Sequence, residues 1–300
     1  MISVVVSCSG RKSLSIPKTN RVGTIRGANG PRAETWIRRI STRPGVRPAM
    51  DLYQGEHWSV CRELANSDTV RLFVASAGYG LIRPNSLLAP YSATFGDNDP
   101  DSVVSESAAS PSIQRQLWWD ALQRWDGPDH DRATLSKLAR RGPVVLAMSL
   151  PYASALENEI LSTEQRFPGR QMIVSTGGVP LSLQPLQLPG DGRLQNVLGG
   201  SLQALNVRTA KSVVLSVPEA SLDQASAAAH LNSLLRSAGE LVQFRRKKLD
   251  DAEVKNFIRS ALRSNASAAC SPTHRSLRDH DMACEQSRFK RLFEEVRLSV

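Results

Sequence analysis

Short apolar runs of strand length recur along the first 240 residues, and amphipathic segments lie between them. Five runs are rich in β-branched and aliphatic residues: 2–7, 70–75, 144–149, 171–175 and 211–217. Between the first two runs, residues 55–66 place Trp58, Cys61 and Leu64 on one helical face. A basic helix is expected around 132–141, before the third run. Strands that alternate with helices predict an α/β fold, with a mostly parallel sheet and helices on both faces.

The pattern changes towards the carboxyl terminus, where apolar residues recur at helical spacing. Four helices are predicted there: 222–237, 250–263, 273–280 and 284–297. We therefore expect an α/β domain over 1–240 and a small helical region over 241–300. In the last helix, Phe289, Leu292 and Phe293 share one face, which fits either a helix-turn-helix-like appendage or a helix that closes the core.

The net charge of +10 is concentrated at the two ends of the chain. Residues 1–50 hold ten Lys/Arg and one acid, residues 236–300 hold fourteen Lys/Arg and nine acids, and the middle is mildly acidic. The Arg-rich stretch 17–48 contains four prolines and, apart from a short helix over 32–41, is expected to be an inserted loop of the kind that carries function. Guanidinium forks match phosphate oxygens, which predicts a nucleic-acid partner. A merely solvated loop is the alternative.

Several classes of protein are disfavoured by what the sequence lacks. No run approaches the roughly 18 apolar residues of a membrane span, and the amino terminus does not have the layout of a signal peptide, so we expect a cytoplasmic protein without a membrane partner. The four cysteines are far apart, which predicts reduced thiols and no zinc site. Dinucleotide, P-loop and serine-hydrolase motifs are missing, and neither a metal nor an organic cofactor is expected.

Polar, small residues follow four of the predicted strands. The loops concerned are 7–11, 76–80, 149–152 and 175–178. In a parallel sheet ligands bind beyond the carboxyl ends of the strands, so these loops should converge on one crevice.

Aromatic and hydroxyl side chains near these strand ends are suited to hold a base that is flipped out of a helix. The base-binding candidates are Ser9, Tyr53, Ser76, Tyr79, Tyr91 and Thr94. Asp51 and Asp97 are the candidate catalytic residues, because a carboxylate can activate water or stabilise the cationic sugar that forms as a glycosidic bond breaks. Capping a helix or a turn is the alternative role of each. The candidate DNA contacts are Arg11, Lys12, Arg21, Arg26, Arg32, Arg38 and Arg39.

Four motifs together make the sequence resemble a known family. They are Val6–Lys12 (VSCSGRK), Asp51–Gly55 (DLYQG), Val74–Ile82 (VASAGYGLI) and Pro90–Phe95 (PYSATF). In order and spacing they resemble a bacterial family related to the peroxide-stress YaaA proteins. The last two also look like the glycosylase-like domain of archaeosine transglycosylases and archaeosine synthases. This resemblance covers residues 2–96 and implies a uracil-DNA-glycosylase-like fold, with a base-binding crevice at the strand ends.

The resemblance also implies a function. Relatives of this kind include an anti-phage DNA glycosylase, so we expect a DNA glycosylase that hydrolyses the N-glycosidic bond of a modified base and leaves an abasic site, in antiviral defence. Two other functions stay open. One is a non-catalytic DNA-binding protein of the stress-response type, and the other is base exchange by a transglycosylase, which would need a second base as co-substrate.

Overall fold

The computed structural model of the chain describes residues 1–26, 29–106, 108–129, 132–240 and 247–298. The chain divides into two compact units, Met1–Glu240 and Leu241–Val300. None of the helices within the described ranges is long and apolar enough to cross a membrane.

The larger unit contains seven strands and nine helices in its described part. The strands are β1 (Ile2–Ser7), β2 (Arg47–Pro48), β3 (Val70–Ser76), β4 (Gly80–Ile82), β5 (Leu87–Leu88), β6 (Val144–Ala147) and β7 (Gln171–Val174). The helices are α1 (Asn29–Ser41), α2 (Ala49–Leu52), α3 (Glu56–Ala65), α4 (Pro111–Arg124), α5 (Leu135–Ala139), α6 (Leu150–Arg166), α7 (Leu194–Leu198), α8 (Leu205–Ser216) and α9 (Gln224–Ser237).

A five-stranded sheet in the order β4-β3-β1-β6-β7 forms the centre of this unit. β1, β3, β6 and β7 are parallel, and β4 is antiparallel to β3, which confirms the predicted α/β class with a mostly parallel sheet. Side chains of successive strand residues point to opposite faces, and every residue from Ile2 to Val6 is buried, so both faces of the sheet are covered. β2 and β5 form a separate antiparallel pair.

Two predictions about the sheet are wrong. The expected fifth strand over 211–217 lies mostly in helix α8, where Val207, Ala210 and Val214 recur at helical spacing and are buried. The strand that completes the sheet is instead β4, inside the segment 76–82 that was expected to be a loop. β4 pairs with β3 through a tight turn, and Gly80, with which β4 begins, adopts a positive φ of 77° that favours glycine.

The Arg-rich stretch 17–48 packs against the rest of the unit, and the short helix predicted over 32–41 is confirmed as part of α1. It forms helix α1 and two 3₁₀ turns, Lys18–Asn20 and Val22–Thr24. Trp36 and Ile40 of α1 are buried in the main core together with Val22. This packing anchors the segment to the rest of the unit. Gly27 and Ala28, which belong to the same Arg-rich stretch, lie outside the described residues.

The smaller unit contains three helices and two short strands in its described part. They are β8 (Lys247–Lys248), α10 (Asp251–Ser264), α11 (Cys270–Asp279), β9 (Met282–Ala283) and α12 (Gln286–Arg297). Phe289, Leu292 and Phe293 of α12 join Val254 and Ile258 of α10 in a core that is separate from that of the larger unit. The three helices coincide closely with the predicted segments, whereas the parallel pairing of β8 with β9 was not predicted.

Candidate functional site

The carboxyl ends of the four parallel strands bring chemically active side chains to one edge of the sheet, called here the carboxyl edge. β1 leads into Cys8–Lys12, β3 into Ala77–Tyr79, β6 into Met148–Ser149 and β7 into Ser175–Gly178. Asn206 of α8 connects two of these loops: its Oδ1 accepts the Thr176 N–H at 2.9 Å, and its amide donates to the Met148 carbonyl at 3.0 Å.

Three buried hydroxyl groups form the floor of this edge, and we call Tyr53, Ser76 and Tyr91 the hydroxyl cluster. The Tyr91 hydroxyl lies 2.7 Å from the Tyr53 hydroxyl and 2.7 Å from Ser76 Oγ. Ser76 Oγ also accepts the backbone N–H groups of Gly78 and Tyr79, at 3.2 and 3.1 Å. Burial raises the pKa of Tyr53 and of Tyr91 well above the usual range, so both phenols stay protonated at neutral pH.

Gly78 allows the Tyr91 ring to approach the backbone at the end of β3. A Cβ at position 78 would lie 2.3 Å from the nearest atom of that ring. Any larger residue would therefore push Tyr91 away from the hydroxyl cluster.

Lys12 places an amino group over the hydroxyl cluster. Its Nζ lies 4.4 Å from the centre of the Tyr91 ring and 5.4 Å from that of Tyr53, within the range of cation–π contacts. The same group donates to the Ser9 carbonyl at 2.7 Å. Burial lowers the pKa of Lys12, although the nearby Cys8 thiol partly opposes this shift.

The loop 97–101 supplies carboxylates on the side of Lys12. Asp99 and Asp101 are close enough to Lys12 to act on its pKa in the upward direction. Asp99 Oδ1 accepts the Asp101 N–H at 2.8 Å. The buried Asp101 is held by Arg21 at 3.0 Å and by the Gly23 N–H at 3.1 Å.

The two predicted catalytic aspartates lie outside the hydroxyl cluster. Asp97 is exposed and forms an ion pair with the buried Arg115 at 2.5 Å. Asp51 is exposed on α2, and no hydrogen bond or ion pair joins its carboxylate to the described residues. Asp99, which belongs to the same loop as Asp97, acts on the pKa of Lys12 in the upward direction.

The predicted base-binding residues come together, but mostly as an internal cluster. Tyr53, Tyr79 and Tyr91 are at most 3% exposed. The Tyr79 and Tyr91 rings meet edge to face at 5.1 Å, and Tyr79 bonds to the backbone of Ala89 through its hydroxyl. These rings therefore support the carboxyl edge from below and present no open face for stacking in this conformation.

Ser9 and Thr94, the two other predicted base-binding residues, hold backbone loops. Ser9 Oγ donates to the Gln54 carbonyl at 2.8 Å, and Thr94 Oγ1 accepts the Gly96 N–H at 3.0 Å. Both are only partly buried, so they remain accessible at the rim of the edge.

The basic residues predicted to contact DNA differ in their accessibility. Arg11, Arg26 and Arg38 are exposed. Arg39 donates to Thr24 Oγ1 at 2.6 Å and to the Thr19 carbonyl at 3.1 Å. Arg32 is 4% exposed and donates to the Val103 carbonyl at 2.9 Å, so it fixes the backbone inside the fold and is not placed to reach a phosphate.

Sequence reasoning missed three side chains at the carboxyl edge. Cys8 Sγ lies 3.1 Å from the Tyr152 hydroxyl, and the Tyr152 ring meets Phe95 edge to face at 5.1 Å. A ring nitrogen of His57 lies 3.0 Å from the Ser7 carbonyl, and burial lowers the pKa of His57 to about 4, which leaves it neutral at pH 7. Cys8 could have been placed at the carboxyl edge from the sequence, because it directly follows β1.

No group of three or more potential metal ligands occurs in the part of the chain that the structure describes. In the comparison with known families, residues 41–110 match a family of unknown function (DUF6884). That span includes the whole hydroxyl cluster but neither β1 nor Lys12. No curated protein and no solved structure matches the chain.

Proposed function

We propose that the larger unit hydrolyses the N-glycosidic bond of a modified base in DNA, with the carboxyl edge as its active site. One observation carries this proposal: the Lys12 amino group lies over the hydroxyl cluster and within electrostatic range of Asp99 and Asp101 in loop 97–101. A uracil-DNA-glycosylase-like arrangement would use the same edge of a parallel sheet.

The reaction needs groups that this edge supplies. Cleavage of the C1′–N bond leaves positive charge on the sugar and negative charge on the departing base, and water then adds to C1′. A carboxylate of loop 97–101 would stabilise the sugar cation and take a proton from the water. Since burial lowers its pKa, the Lys12 ammonium gives up a proton to the departing base more readily than a surface lysine would.

Phosphate contacts would come from the exposed cations of the amino-terminal segment. Arg11 directly precedes Lys12, and Arg26 and Arg38 are exposed on the same amino-terminal segment. The amino end of α6 also lies at this edge, where the side chain of its N-cap Ser149 is exposed and caps no backbone N–H group. Backbone N–H groups at a helix start favour an anion.

A non-catalytic DNA-binding protein is the second candidate, and the burial of the aromatic rings favours it. Tyr53, Tyr79 and Tyr91 offer no open face on which a flipped base could stack. Binding through the exposed arginines alone would fall steeply with salt and would not depend on base modification.

The test is to incubate the purified protein with unmodified, uracil-containing and heavily modified phage DNA, and to measure alkali-labile abasic sites. We expect abasic sites on one modified substrate. Asp99→Asn, Asp97→Asn and Asp51→Asn are compared, with the exposed Asp68→Asn as the matched control. Loss of the catalytic carboxylate should lower turnover by about 100-fold or more and change DNA affinity by less than about two-fold.

Three other results would each contradict a part of this proposal. Tight, salt-sensitive binding with no abasic site on any substrate would identify the non-catalytic protein. Turnover that requires an added base would identify base exchange. Equal turnover in all four variants would exclude these aspartates from the reaction.

A further inference from the structure

A second concave site lies away from the carboxyl edge in the larger unit. It is a cavity of about 760 Å³, within the range of about 300–1,000 Å³ that is typical of small-molecule sites. The ladder between β3 and β4 begins at Val74, so the earlier residues Arg71–Phe73 extend past the end of β4 and form one wall. Arg71 is five residues from Ser76, which places it about 16 Å from the hydroxyl cluster along the strand.

The lining of this cavity is strongly basic. Five cationic side chains contribute to it: Arg71, Arg83, Lys137, Arg140 and Arg141. No carboxylate lines the cavity within the described ranges. Asp129 lies 3.7 Å from Arg83, and the Lys137 amino group donates to the Arg132 carbonyl at 2.8 Å. These two contacts hold two of the five cations in place.

The other three cations have no counter-charge among the described residues. Arg71, Arg140 and Arg141 form no ion pair and no side-chain hydrogen bond with the described residues. The Nε of Arg71 is fully buried and also has no hydrogen-bond partner there. A buried N–H without an acceptor is unfavourable, so an anion that enters the cavity would gain both the charge and the missing hydrogen bond.

Apart from Asn85, the rest of the lining is apolar. Leu72, Phe73 and Leu138 form a hydrophobic wall beside the arginines. An inorganic ion would leave this wall empty, whereas an extended nucleic-acid strand would need a groove that continues beyond one cavity. A small organic molecule with both a flat apolar part and several phosphates matches both halves of the lining.

We propose that this cavity binds a nucleoside polyphosphate, with its phosphates on Arg71, Arg140 and Arg141 and its base against Leu72, Phe73 and Leu138. This cavity is separate from the carboxyl edge, and the proposal does not depend on the proposed DNA glycosylase activity. Bound ligand would also neutralise the excess positive charge at this end of β3.

Isothermal titration of the full chain at about 0.15 M salt tests the proposal, with ATP, GTP, adenosine, pyrophosphate and a single-stranded oligonucleotide as probes. We expect ATP or GTP to bind, and adenosine and pyrophosphate to bind about ten-fold more weakly, because each fills one half of the site. R140Q/R141Q should weaken triphosphate binding by about ten-fold or more, since each arginine makes a charge-assisted contact. The matched control R170Q/R236Q removes two exposed arginines outside the cavity and should change affinity by less than about two-fold.

Each contrary result overturns the proposal. If no triphosphate binds at about 1 mM, the proposed binding site is ruled out. Pyrophosphate binding as tightly as ATP would show that the apolar wall is unused, and equal losses in the two double variants would show only a bulk charge effect. An oligonucleotide that binds more tightly than ATP and is weakened by R140Q/R141Q would assign the cavity to a nucleic-acid backbone. Asp99→Asn should leave triphosphate binding unchanged, which separates this result from the test of the glycosidase.

Discussion

At the scale of single residues, the members of the hydroxyl cluster depend on one another for their hydrogen bonds. Tyr91 is central, because its hydroxyl reaches both Tyr53 and Ser76 at 2.7 Å, whereas Tyr53 and Ser76 are 3.4 Å apart. All three are fully buried, so water cannot replace a missing partner. The cluster therefore fixes the ends of β3 and α2 in one arrangement.

The first prediction concerns removal of the Tyr91 hydroxyl. Tyr91→Phe keeps the ring but leaves two buried hydroxyl groups poorly paired, so the free energy of unfolding should fall by about 1–3 kcal/mol. Tyr152→Phe is the control, since its hydroxyl faces the weakly polar Cys8 thiol, and its loss should be smaller. Urea unfolding followed by tryptophan fluorescence measures both. A Tyr91→Phe protein as stable as the wild type would mean that the cluster adds no stability.

Glu56 gives a prediction about pH. Hydrogen bonds from Ser201 and Arg208 lower the pKa of Glu56 to about 2, from an ordinary 4.5. Because the folded pKa is depressed, the stabilisation is complete above about pH 4.5 and is lost as the pH falls towards 2. The carboxylate is 37% exposed, so solvent screening limits the effect of Glu56→Gln at neutral pH to about 0.5–1 kcal/mol.

Urea unfolding at several pH values measures this effect, with Glu34→Gln on an exposed position of α1 as the control. The difference between wild type and Glu56→Gln should shrink steadily below about pH 4.5. A difference that is independent of pH would show that the Glu56 charge has no role.

At the scale of elements, the sequence was sufficient to locate strands and helices where the hydrophobic pattern and the intrinsic propensity agree. β1, β3, β6 and β7 are mostly apolar, as expected of strands buried on both faces, and they lie where the sequence predicts them. The segment 211–217 misled because Val213, Val214 and Val217 favour strands by propensity, while burial at helical spacing decides the structure.

Within the site, Lys12 and Tyr91 were identifiable from their motifs. Their approach to 4.4 Å depends on the tertiary fold, which no local pattern encodes.

The folding of segment 17–48 leads to a prediction about helix α1. Trp36 is fully buried and its indole N–H donates to the Gly78 carbonyl at 2.8 Å, directly beside the hydroxyl cluster. Trp36→Ala should therefore lower the free energy of unfolding by about 3–5 kcal/mol, through the cavity it leaves. Arg38→Ala on the exposed face of the same helix should change it by less than about 0.5 kcal/mol. Urea unfolding followed by far-UV circular dichroism compares the two variants. If both change the free energy of unfolding by a similar small amount, segment 17–48 is only loosely attached to the core.

At the scale of the whole molecule, the described residues form two hydrophobic cores that share no residue. One core spans the larger unit, and the other is built from α10, α11 and α12. A unit of about 60 residues buries a smaller share of its surface than a large domain does, so it is the less stable of the two. We therefore expect the two units to unfold in separate steps.

Phe289→Ala tests this expectation, because Phe289 is fully buried in the smaller core and packs on the His274 ring at 4.7 Å. The substitution should cost about 3–5 kcal/mol, which is enough to unfold a marginal three-helix unit. All five tryptophans lie in the larger unit, so their fluorescence reports on that unit alone, whereas far-UV ellipticity reports on both. Phe289→Ala should reduce the helical ellipticity without moving the fluorescence midpoint in urea, and the exposed Arg297→Ala should change neither. If the fluorescence midpoint falls together with the ellipticity, the two cores unfold as one cooperative body.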